Sequence, residues 1–166
     1  MMKTQSLTFL PANKTAVQGI LSPLAIALGV ALPHVFHLAG IGPVFLPMFL
    51  PLILVAMTME LPFVLLVAIT TPLISHAMTG MPAQETAIVI AFQLSFLGLC
   101  GWFFRTRGKV NYLWAIVGSV AAERVVSFLA GFALPSLVSS GAVIASYPGV
   151  IFLLVASIVL MKIYDR

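Results

Sequence analysis

Six apolar stretches, punctuated by polar residues or by glycine and proline, run along the chain at approximately 17–32, 44–59, 63–78, 87–104, 112–134 and 150–163. Each reads as a helix that crosses a bilayer, since roughly 20 apolar residues span about 30 Å of hydrocarbon, although two of the six are short for it. Proline interrupts two stretches, at Pro47 and Pro51 in the second and at Pro72 in the third. Kinked helices are expected there, with neighbouring helices satisfying the freed carbonyls. No tandem repeat, low-complexity tract or linker divides the chain, so residues 1–166 read as one domain.

The composition strengthens this pattern. Of 166 residues, 61% are hydrophobic and only 7% charged, and the mean hydropathy is +1.17. A soluble domain is closer to a quarter charged. The twelve charges could not cover a globule of this mass, whereas lipid demands almost none, so an all-α integral membrane protein is expected. Six crossings use nearly the whole length and leave no room for a nucleotide-binding domain.

The net charge of +4 suggests topology, not nucleic acid. With both termini in the cytoplasm, the inside segments hold Lys3, Lys14, Arg105, Arg107, Lys109, Lys162 and Arg166, and the outside loops hold no Lys or Arg. That asymmetry obeys the positive-inside rule and requires an even number of spans, while Trp102, Tyr112, Trp114 and Tyr164 flank the inner boundary as interfacial anchors. A cleaved leader in place of the first span is not expected, because its loss would spoil the charge pattern. The lone Cys100 permits no intramolecular disulfide and no thiolate cluster.

Glu123 and Arg124 stand out inside the fifth stretch. An intramembrane charge costs at least about 2.5 kcal/mol on insertion scales. Neighbours on a helix point about 100° apart, so a simple pairing of the two is not expected and a partner on another helix is. Gln93 lies at similar depth. Both a packing clasp and a substrate- or ion-binding group remain open. His34, His37 and His76 fall near the outer ends of the first and third spans. Without a nearby Asp or Cys they read as hydrogen-bonding wall residues or as interface residues, and no metal site is expected. Gln84, Glu85, Ser136, Ser139, Ser140 and Tyr147 add uncharged and acidic chemistry to that outer face. Ala25, Ala27, Gly29 and Ala31 form two overlapping small-residue registers on the first helix, suited to packing within the bundle or to docking a partner. No hydrolase or ATPase motif is present, so an enzyme is not expected.

The run Gly42-Pro43-Val44-Phe45-Leu46-Pro47-Met48-Phe49-Leu50-Pro51, then Thr71-Pro72-Leu73-Ile74-Ser75 and Thr79-Gly80-Met81-Pro82, with Ala122-Glu123-Arg124 in the fifth helix, resembles the substrate-capture (S) components of energy-coupling factor (ECF) vitamin transporters. The likeness covers most of the chain. It implies a six-helix protein of a prokaryotic cell membrane that binds a vitamin or vitamin precursor on its outer half. It further implies uptake driven by a separate membrane coupling protein and two cytoplasmic ATPases, with no cofactor in the chain itself. On this resemblance Arg124 anchors a carboxylate or phosphate, Gln93 and Glu123 complete a polar floor, and His34, His37 and His76 stand nearer the mouth with Gln84 and Tyr147. Ala25, Ala27, Gly29 and Ala31 would dock the coupling protein. An anionic vitamin and an amine remain equally open as substrates. An ion-coupled carrier acting alone and a non-transporting assembly subunit are the alternatives.

Overall fold

A computed structural model of the chain describes residues 11–38, 40, 47–108, 110–133, 144 and 146–164. These residues form six helices and no strand: α1 (Pro11–Leu38), α2 (Phe49–Thr58), α3 (Leu61–Thr79), α4 (Gln84–Thr106), α5 (Tyr112–Ala133) and α6 (Tyr147–Tyr164). Four segments are long and apolar enough to cross a membrane, Lys14–Leu38, Leu61–Thr79, Gln84–Thr106 and Tyr112–Phe132, and they point to a multi-pass membrane protein. Their outward faces carry large exposed apolar side chains, among them Ile20, Leu24, Phe92, Trp114, Leu129 and Phe132. Such a surface suits lipid and would be a liability in water.

The second apolar stretch yields a helix of only 10 residues, about 15 Å long at 1.5 Å per residue. It is nevertheless the centre of the molecule. α2 packs against all five other helices, while α1, α3, α4, α5 and α6 adjoin one another in that order around it. The ends of this arc, α1 and α6, meet at Phe36 and Phe152, whose ring centroids lie 5.9 Å apart. A helix apolar on every side is stable only when surrounded, and Phe49, Leu52, Ile53, Val55, Ala56 and Met57 are all buried. The expected proline kinks in this stretch do not arise. Pro47 precedes the helix and Pro51 falls in its first turn, where an N–H has no intrahelical partner to lose.

α2 stops at Met59 and the chain re-enters α3 at Leu61, a break held from two sides. Arg105, in the last turn of α4, donates from Nη1 to the Met57 carbonyl at 2.7 Å and from Nη2 to that of Met59 at 2.6 Å. A cation there satisfies carbonyls left over at the helix end and complements the negative end of its dipole. Gln18 of α1 accepts from the Glu60 N–H at 3.2 Å. The antiparallel succession then gathers Lys14, Glu60, Arg105, Arg107 and Lys162 at one end, the basic end. His34, His37, His76, Gln84, Glu85 and Tyr147 gather at the other, the histidine end. Lys3, Lys109 and Arg166 lie outside the described residues.

Glycine permits the close approaches. A Cβ on Gly29 would sit 2.5 Å from the Thr71 Cγ2 methyl of α3, and one on Gly98 of α4 would sit 2.6 Å from Val64 Cγ1. Of the two small-residue registers on α1, Ala25 and Gly29 are therefore used within the bundle, and Ala27 and Ala31 face outward. Gly29→Ala is expected to cost about 1–3 kcal/mol through overpacking. Thr71→Ser, which removes the clashing methyl, should recover most of it, as read from unfolding in mixed detergent micelles.

Candidate functional site

The histidine end holds a cavity of about 660 Å³ between α1, α2, α3 and the start of α4. Its described walls are Pro33, His34, His37 and Leu38 from α1, Pro47, Met48 and Phe49 at the head of α2, Ser75 from α3, Met81 and Pro82 from the following loop, and Thr86 and Ile90 from α4. The volume is that of a small-molecule site.

The loop wall is built by the Thr79-Gly80-Met81-Pro82 sequence. α3 ends on Gly80, whose φ of 71° is a left-handed conformation that glycine adopts without penalty. The chain then folds back over the end of α3. Ser75 Oγ donates to the Met81 carbonyl at 2.8 Å, and Thr79 Oγ1 donates to the Ser75 carbonyl at 2.8 Å. His76 Nδ1 lies 2.8 Å from the Pro82 carbonyl. A carbonyl oxygen can only accept, so this nitrogen carries the proton. His76 thus supports a cavity wall without being one of the described lining residues.

His34 and His37 lie on the same face of α1, one turn apart, and both line the cavity. His34 Nδ1 donates to the Val30 carbonyl at 2.7 Å. The neutral ring therefore keeps its free lone pair on Nε2.

Glu123 and Arg124 occupy a different compartment. Both are buried, at 1% and 9% exposure. Contrary to the expectation from their angular separation, they do pair, Arg124 Nε donating to Glu123 Oε2. The 100° offset applies at Cβ. Two long side chains can bend toward each other, and Nε is the guanidinium nitrogen nearest the backbone. The rest of the network matches the expected reach to other elements. Ser127, one turn on, donates to Glu123 Oε1 at 2.6 Å and accepts from Gln93 Nε2 of α4 at 3.0 Å. Arg124 Nη1 donates to Ser146 Oγ, just ahead of α6, at 3.1 Å. The guanidinium carbon also lies 5.5 Å from the centroid of the Phe49 ring, within range for a cation–π contact.

Phe49 joins the two compartments, since it lines the cavity and carries Arg124 on its ring. Arg124, Glu123 and Gln93 are not among the described lining residues. Gln84 is exposed at the first position of α4, two residues before Thr86, and Tyr147 is half exposed at the first position of α6. Ser136, Ser139, Ser140 and 42–46 of the proline-rich run lie outside the described residues. No group of three or more His, Cys, Asp or Glu among the described residues is placed to hold a metal ion.

Sequence reasoning overlooked Ser127, Ser146, Phe49 and Arg105. Ser127 had a signal, four residues beyond Glu123 and so on its helical face. Arg105 was legible only as a topological charge, because its partners lie 46 and 48 residues away. No protein-family model, curated protein or solved structure matches this chain.

Proposed function

We propose that the chain captures a vitamin or vitamin precursor in the membrane and hands it to a separately energised importer of the energy-coupling factor type. The observation that carries the reading is the cavity of about 660 Å³ at the end of the bundle away from the basic residues. In this reading the histidine end faces outward, both termini are cytoplasmic, and all six helices cross. α2 does so sheathed in protein, which excuses its length because its C-terminal carbonyls are satisfied by Arg105 of a neighbouring helix and its flanks face protein and not lipid. The membrane is that of a prokaryotic cell. Energy comes from a membrane coupling protein and two ATPases, and the outward Ala27 and Ala31 on α1 offer close approach for the coupling subunit.

The closed hydrogen bonding around Glu123 and Arg124 favours a packing role for that pair, and with it a second reading of the chain as a non-transporting assembly subunit. Ligand binding separates the two. Native mass spectrometry of the detergent-purified chain against a panel of B vitamins and their precursors should retain one ligand. His34→Ala should weaken it about fivefold to tenfold, the value of one hydrogen bond. Retention of none by the folded protein would move the assignment to the assembly subunit.

A further inference from the structure

We infer that the cavity selects an uncharged, ring-bearing molecule that offers an N–H or O–H donor, and rejects the anionic forms of the same chemistry. This rests on the capture reading above and narrows it.

The chain has eight Lys and Arg and four Asp and Glu, and none of the twelve is a described lining residue. The links between α1 and α2 and between α5 and α6 add no such residue, since 39–48 and 134–146 contain only uncharged side chains. Arg124, the cation that a carboxylate would need, is already engaged by Glu123, Ser146 and the ring of Phe49. Paired with Glu123, it contributes little net charge to the space beyond that ring. An ion entering this site would shed water against largely apolar walls and meet no Lys, Arg, Asp or Glu among the described lining residues, which is costly.

Two helix starts border the cavity, but neither replaces a cation. α4 carries Glu85 in its own first turn, which offsets the positive end of its dipole. α2 has Pro51 in its first turn, so one of the N–H groups that would meet an anion is missing. What remains suits the partial charge of a carbonyl.

Of the four polar side chains on the described wall, His37 and Thr86 are exposed at the rim, and the two deeper ones, His34 and Ser75, present acceptors. His34 has committed its Nδ1–H to Val30, leaving the Nε2 lone pair, and Ser75 has committed its hydroxyl hydrogen to Met81, leaving oxygen lone pairs. A ligand donor answers both. Phe49, Met48, Ile90 and the prolines supply the apolar walls against which a ring system would lie.

The test uses matched ring-bearing pairs that differ mainly in charge: nicotinamide and nicotinate, biotin methyl ester and biotin, riboflavin and its monophosphate. Binding is measured by equilibrium dialysis on the full chain in lipid nanodiscs. In whichever pair binds, the uncharged member should be at least about tenfold tighter, the signature of an unmatched buried charge. Thr86→Lys, which places a cation on the exposed rim of the wall, should narrow or reverse that ratio. Tighter binding of an anionic member by the wild-type chain would overturn the inference and leave the capture reading standing. Binding of no member by a folded chain, or a co-purified phospholipid that none displaces, would overturn both.

Discussion

Glu123→Ala is expected to destabilise the bundle by about 3–5 kcal/mol, because it strands the Arg124 guanidinium in a buried site without its counter-charge. It also removes the acceptor of the Ser127 hydroxyl hydrogen and leaves Ser127 only the bond it accepts from Gln93. Equilibrium unfolding in mixed detergent micelles, followed by helical circular dichroism, measures the loss. Replacing the pair together, Glu123→Leu with Arg124→Met, should return most of it, since no unmatched charge is left and the side chains keep comparable volume. A double variant as unstable as Glu123→Ala would refute the charge-pair account. The same double variant addresses the role in binding. If it folds and still retains ligand, Arg124 acts through packing on Phe49; if it folds and loses the ligand, Arg124 is required to build the site.

Arg105→Ala is expected to cost about 3 kcal/mol, from two charge-assisted hydrogen bonds that end α2 at the Met57 and Met59 carbonyls. α2 cannot hold itself together at this length, since isolated helices below about 12 residues are marginal even with favourable sequences. The change should therefore appear locally. Amide hydrogen exchange across Phe49–Thr58 should quicken well before that of α3 or α4. Arg105→Lys keeps the charge but loses the two-pronged geometry, and should recover only part of the protection. Unchanged exchange in α2 for Arg105→Ala would show that helix packing alone closes this end.

These two sites mark how far the chain could be read in advance. Helices were legible because apolar runs of membrane length can satisfy their backbone in few other ways. Thr79-Gly80-Met81-Pro82 was legible as a break for a local reason: glycine takes the left-handed turn and proline cannot continue the helix. That His34 and His37 share a face was legible too, since they stand three residues apart on one helix. The depth of Glu123, Arg124 and Gln93 could be placed by counting residues, but their partners could not. Pairing depends on how side chains bend in three dimensions and on which neighbouring helix comes near.

Composition and periodicity settled that this is a helical chain built for a bilayer, with its basic residues concentrated between particular helices, because transfer free energy and helical repeat are properties of local sequence. Only packing decided that the shortest helix, α2, is the centre, that Ala25 and Gly29 but not Ala27 and Ala31 face inward, and that the cavity lies against Phe49 with Arg124 behind the ring. Those outcomes depend on contacts between residues far apart in the chain, whose closeness no local pattern encodes.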